Sequence, residues 1–167
     1  DITLASDEQI TLPAATSVSA IVDLAGYTLD SSALSYLMYF GNHNNKLNSN
    51  ISFITTKSGG KLVAEDVFYL TPGTADTFHF TFGGNGSEAI DVKATYIADS
   101  NNNFKNASNL YINLNNGTYE FSTGIFDVDN YKASSSQNNY YINIDNADIS
   151  LKSSAIIFKD TGFCASA

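Results

Sequence analysis

Thr77-Phe78-His79-Phe80-Thr81-Phe82 sets three aromatic rings on one side of an extended chain and three polar side chains on the other. The alternation recurs along the sequence. Val18, Ala20, Val22 and Leu24 oppose Ser19 and Asp23, and Ile90, Val92, Ala94 and Tyr96 oppose Asp91, Lys93 and Thr95. It returns in Leu110, Ile112 and Leu114, and again in Tyr140, Ile142 and Ile144. Successive side chains leave an extended backbone on opposite sides, so period two is the signature of a strand with one dry face and one wet face. The runs are also rich in aromatic and β-branched residues, which fit a pleated surface. Further short strands are expected at 51–55, 62–69, 117–122, 147–151 and 155–158.

Between these runs lie Ser58-Gly59-Gly60, Pro72-Gly73, Gly83-Gly84-Asn85-Gly86 and Asn115-Asn116-Gly117. Gly and Asn tolerate positive φ, as tight turns require, and Asn115-Asn116-Gly117 between two alternating runs reads as a hairpin. Loops this short do not make parallel crossovers, so antiparallel pairing is expected. The expected fold is all-β: an antiparallel β-sandwich of jelly-roll or Ig-like, pilin-like type. One segment departs from the pattern. Ala33, Leu34, Leu37 and Met38 fall at helical spacing, with Asp30 or Ser31 to cap the start and Gly41 to end it, which predicts one short helix near residues 31–40. The rival reading is a fully buried strand over 36–40. No internal repeat at a fixed period is evident.

With 167 residues and 43% hydrophobic content, the chain has the size and make-up of one globular domain. Its opening, Asp-Ile-Thr-Leu-Ala-Ser-Asp-Glu-Gln-Ile-Thr-Leu-Pro, is too long for one ordinary strand, at about 3.3 Å per residue and about five to six residues per strand. The division expected is an extended strand or arm over 1–13 and a sandwich over 14–167. As an arm, the opening would offer Ile2, Leu4, Ile10 and Leu12 to the sheet edge of another copy, the β-augmentation mode of recognition. The alternative is an edge strand within its own sheet.

Only 15% of residues are charged, the net charge is −9, and all the cations are Lys. Nucleic acid is therefore not an expected partner, since phosphate neutralisation needs clustered cations. There is no apolar run of the length a membrane-spanning helix requires. The only Met is Met38, so either a signal peptide has been removed or the sequence is a piece excised from a longer chain; the first is the expectation, with the protein outside the cell or on its surface. Asn50, Asn85, Asn106 and Asn116 head Asn-x-Ser/Thr sequons, acceptor sites for glycan in an exported chain. Cys164 is alone and forms no internal disulfide.

Chemistry is sparse. The two histidines, His43 and His79, match no nucleophile–base pattern with Cys164, and no nucleotide, hydrolase or zinc-protease motif occurs. The expectation is no enzyme and no cofactor, with calcium as the one metal to consider. Asp127 and Asp129, and Asp145 and Asp148, supply dense hard oxygen, although neither stretch follows the EF-hand pattern. Tyr111 and Tyr141 stand opposite the aliphatic faces of their strands, where a ring with a polar tip can contact a ligand such as a surface glycan.

The functional expectation is a structural or adhesive subunit of an extracellular, pilus-like fibre, a homopolymer joined by exchange of the N-terminal strand. A monomeric secreted carbohydrate-binding module is the alternative. A secreted hydrolase or a jelly-roll viral coat protein are lesser ones.

Overall fold

The computed structural model describes residues 2–3, 10–11, 17–40, 48–70, 76–84, 87–100, 109–128, 139–152 and 157–158. In chain order the strands are β1 (Ile2–Thr3), β2 (Ile10–Thr11), β3 (Ser17–Asp23), β4 (Thr28–Phe40), β5 (Asn48–Ile54), β6 (Lys61–Leu70) and β7 (Thr77–Phe82). They continue as β8 (Ile90–Ala94), β9 (Tyr96–Ser100), β10 (Asn109–Phe121), β11 (Phe126–Val128), β12 (Asn139–Leu151) and β13 (Ile157–Phe158). No helix occurs among the described residues.

Every pair among the described strands is parallel, which overturns the expected antiparallel sandwich. The pairings sort into three columns. On the first, face A, β3, β5, β7 and the leading halves of β10 and β12 lie side by side. On face B, β1 is followed by the start of β4, the start of β6, β8 and the trailing halves of β10 and β12. On face C, β2 is followed by the ends of β4 and β6, then β9, β11 and β13. The chain visits A, B and C in turn and returns to A one rung further on. This is a parallel β-solenoid.

The repeat is read directly from register. Val18, Ser49, Phe78, Leu110 and Tyr140 are aligned on face A, at steps of 31, 29, 32 and 30 residues. The aligned residues differ in identity, so the repeat resides in the pattern of inward and outward positions. It also explains why short loops did not impose antiparallel pairing. A corner joins two different faces, whereas hydrogen-bonded neighbours are a whole coil apart, which leaves ample chain for a parallel connection.

The three sheets face one another, and their inward side chains form the core. Ile51, Phe53, Leu62, Phe68, Phe78, Phe80, Phe82, Ile112 and Leu114 are fully buried. Rings stack from coil to coil, as between Phe53 and Phe82 at 5.6 Å and Phe68 and Phe80 at 3.6 Å. Tyr119 is also fully buried, with its hydroxyl 2.7 Å from the Asn115 carbonyl and 3.1 Å from that of Phe82. Burial pushes its phenol pKa well above the ordinary value of 10.0.

The segment expected to be a helix belongs to β4 instead. Ser31, Leu34, Leu37, Met38 and Phe40 are buried, and the register with β6 shifts between Ser31 and Tyr36. The strand turns from face B to face C at that irregularity. Inward positions therefore fall three apart across the corner, which imitates a helical stripe. Beyond the corner, 36–40 is strand, as in the rival reading, but it is not fully buried: Leu37, Met38 and Phe40 are inside, and Tyr36 and Tyr39 are half-buried.

Corners between faces A and B share one device. All the described residues with positive φ lie there: Ala25 (49°) and Gly26 (83°) in the first full coil, then Gly59 (89°), Gly83 (68°), Asn116 (41°) and Asn146 (49°). A left-handed residue bends the chain sharply between two extended stretches, as in a bulge. Asn115-Asn116-Gly117 is therefore a bend within the continuous strand β10, where a hairpin was expected.

Candidate functional site

Face A carries the most distinctive surface. Its outward positions run Ser17, Ser19 and Ile21 in β3, Asn48, Asn50 and Ser52 in β5, and Thr77, His79 and Thr81 in β7. They continue as Asn109, Tyr111 and Asn113 in β10, and Asn139, Tyr141 and Asn143 in β12. Across 17–22, 48–53, 77–82, 109–114 and 139–144 there is no Asp, Glu or Lys, and the next outward row, at the corner with face B, carries the exposed Asp23 and Asp145 at its two ends. Face B contrasts sharply, with Asp30, Lys61, Asp91, Lys93, Glu120 and Asp148 on its outward rows. Its ion pair, Lys93 Nζ to Glu120 Oε2 at 3.6 Å, is solvated.

Three ladders run along face A parallel to the solenoid axis. In the central one His79 stacks on Tyr111 with centroids 4.3 Å apart and planes within 7°, and Tyr111 stacks on Tyr141 at 4.5 Å and 5°. On one flank the Asn139 side-chain amide donates to Asn109 Oδ1 at 2.9 Å. On the other, the Asn113 amide donates to Thr81 Oγ1 at 3.1 Å. In-register parallel strands, about 4.8 Å apart, bring like side chains into such ladders.

The structure thus unites Tyr111 and Tyr141, the two residues expected at a ligand surface, and adds His79, which sequence reasoning placed only as a solvated strand residue. Both ring faces of Tyr111 are covered by its neighbours, so it offers solvent its edge and phenol. Among the described residues Tyr141 has a ring contact, with Tyr111, on one face, and it is 38% exposed. The clue to His79 lay in its spacing, 32 residues before Tyr111 and 62 before Tyr141.

The remaining expected residues are dispersed. Ile2 and Ile10 pair with this chain's own β4, opposite Leu29 and Met38, while Leu4 and Leu12 lie outside the described residues. Asn50 is exposed on face A. Asn116 is bound into a corner, its amide donating to the Ser87 carbonyl at 3.0 Å and its Oδ1 accepting from Asn146 at 3.1 Å. Asn85, Asn106, Asp129 and Cys164 lie outside the described residues. Asp127 pairs through its backbone with Asp99 and Ile157. Asp145 and Asp148 are exposed on β12, on either side of the Asn146 bend. Among the described residues, no group of three or more His, Cys, Asp or Glu is arranged to hold a metal ion.

The second notable feature is at the ends. Among the described strands β12 pairs only with β10, and β3 only with β5. Their inward rows are correspondingly less covered: Val18, Ala20, Val22, Ile142 and Ile149 are partly buried, and Ile144 is 53% exposed. On β3, Ile21 is 70% exposed on the outer side. A hollow of about 350 Å³ opens beside Val22, Leu24, Tyr27 and Leu29.

No protein-family model, curated protein or solved structure matches this chain. Fold and surface define it as a parallel β-solenoid with one aromatic-laddered face whose three central outward rows carry no charge.

Proposed function

We propose that this protein is a structural subunit of an extracellular surface fibre, elongated by end-on stacking of solenoids. The observation that carries the reading is β12, a strand of 13 residues with one edge unpaired among the described strands and Ile144 exposed on its core side. A long, partly apolar sheet edge is a template for another chain. The complementary surface is the β3 edge of a second copy, where Val18, Ala20 and Val22 are also only partly covered. Continuing the observed register would set Tyr140 over Val18, Ile142 over Ala20 and Ile144 over Val22. The contact is head to tail, so it does not close and builds a filament. Because β1 and β2 lie on this chain's own β4, end-on addition fits this geometry better than exchange of the leading segment. A low-charge exterior rich in Asn, Ser, Thr and Tyr supports placement outside the cell.

Electron microscopy and light scattering of the purified protein test the proposal. The expected outcome is unbranched filaments one solenoid wide, abolished by Ile144→Lys, with the circular dichroism of the variant unchanged. A wild-type protein that stays monomeric at high concentration and high salt, or filaments indifferent to Ile144→Lys, overturns it. Protease shaving of intact producing cells tests the location: loss of the protein from whole cells is expected, and full protection is the contrary result.

A further inference from the structure

The three charge-free rows of face A call for their own explanation, independent of fibre assembly. The chain carries 25 charged side chains, 17 acidic and 8 Lys, yet none falls in the 30 positions of face A defined above. Solubility alone would be served by spreading charge over all outward rows, as on face B. Face A offers instead hydroxyls, side-chain amides, phenol edges and one imidazole.

Those groups have a definite recognition chemistry. Each Asn presents two N–H donors and an acceptor oxygen with two lone pairs. The ladder bonds Asn139 to Asn109 and Asn113 to Thr81 use one donor each, which leaves further donors and acceptors to face outward. Ring edges of His79, Tyr111 and Tyr141 run between the two flanking rows, at the inter-strand period of about 4.8 Å. An anionic ligand finds no Lys here and meets a protein of net charge −9. A cationic ligand finds no carboxylate on the three rows, only Asp23 and Asp145 at the two ends of the corner row beside them. An extended hydroxyl-bearing chain without charge matches both the polar rows and the apolar ring edges between them.

We propose that face A binds an uncharged polysaccharide, its chain lying along the solenoid axis over the His79–Tyr111–Tyr141 ladder, with Thr81, Asn113 and Asn143 as the hydrogen-bonding flank. The site is linear and rigid, because in-register strands hold its rows and the mutual stacking of the rings locks their rotamers. Preorganisation of that kind reduces the ordering cost of binding.

The test is retention of the purified protein on insoluble cellulose, chitin and xylan, with polygalacturonate as the anionic comparison. The expected result is retention on at least one of the three uncharged polymers, undiminished by 0.5 M salt (about 4 to 5 Å of Debye length), and none on polygalacturonate. The Tyr141→Ala/Asn143→Ala double variant should lose retention about tenfold, and Lys93→Ala on face B should behave as wild type. Repeating the assay on the assembly-deficient Ile144→Lys protein separates this proposal from fibre formation. Retention should survive there. Failure on all three uncharged polymers, preference for the anionic one, or equal losses for the face A and face B variants overturns the proposal.

Discussion

Asn116 and Asn146 take φ of 41° and 49°, one coil apart, and their side chains bond to each other at 3.1 Å. A backbone bend and a side-chain ladder are thus built from the same residue type, because Asn tolerates the left-handed region and has both donor and acceptor to pass to the next coil. Gly117 follows, and a Cβ there would strike the Ile90 carbonyl of the preceding coil. Gly117→Ala is expected to cost about 1–3 kcal/mol, the range for overpacking, read as a lowered urea midpoint. The Asp23 carboxylate accepts from the Thr56 hydroxyl at 2.7 Å and from the amides of Ala25 and Thr56 at 2.8 and 3.0 Å. The Thr56 hydroxyl is the largest influence, and together these bonds hold the Asp23 carboxyl below its ordinary 3.8. A pKa depressed on folding adds stability that is complete above the unfolded value and is lost as pH falls through the folded one. Melting temperature should therefore fall as pH drops below about 3.8. Asp23→Asn should reduce that acid sensitivity while lowering stability at neutral pH.

At the scale of the element, β10 is the strand on which the others depend: β12 lies on one side and β7 and β8 on the other. Its central outward ring, Tyr111, is stacked from both sides. Aromatic pairs contribute about 0.5–1.5 kcal/mol beyond burial. A double-mutant cycle on Tyr111 and Tyr141 to Ala should therefore return a coupling of about 1 kcal/mol, and a coupling near zero would mean the ladder is not a stabilising unit. Strand β4 shows how an element was misjudged. Its buried positions, Ser31, Leu34, Leu37 and Met38, carry helical spacing because the strand turns a corner between them. Periodicity assumes a straight element, and a bend inserts residues that it counts as phase.

For the whole molecule, contacts run mainly between adjacent coils, so stability is close to a sum of coil and interface contributions. The ends should open before the middle. Hydrogen exchange of amides in β3 and β12 is expected to be faster than in β5, β7 and the first half of β10, with uniform protection as the contrary finding. End-on stacking brings together molecules of net charge −9, and continued register would place Asp145 near Asp23. Screening shortens the reach of that repulsion, from about 30 Å at 0.01 M to about 8 Å at 0.15 M salt. Filament formation should therefore rise with ionic strength in a scattering titration, and a fall would point to attraction between opposite charges as the driving contact.

The sequence by itself determined that the chain is β over most of its described length, the 31–40 segment excepted, which residues of β3, β7 and the first half of β10 face inward, and several of the places where the chain bends, because alternation and left-handed residues act within a few positions of each other. Val18, Phe80, Ile112 and their partners sit on the side that period two assigned them, and Gly83 and Asn116 mark bends. It brought Tyr111 and Tyr141 to notice but not His79, whose partner is 32 positions away. Only the tertiary structure decided whether neighbouring strands run parallel or antiparallel. A residue alternating between core and water satisfies both equally, since the inner face of a solenoid is as dry, and its outer face as wet, as those of a sandwich. The deciding quantity was the path from one hydrogen-bonded neighbour to the next: a whole coil of about 30 residues whose side chains repeat in pattern but not in name. Register then converted that path into stacked rows, and with them the ladders and the three uncharged rows.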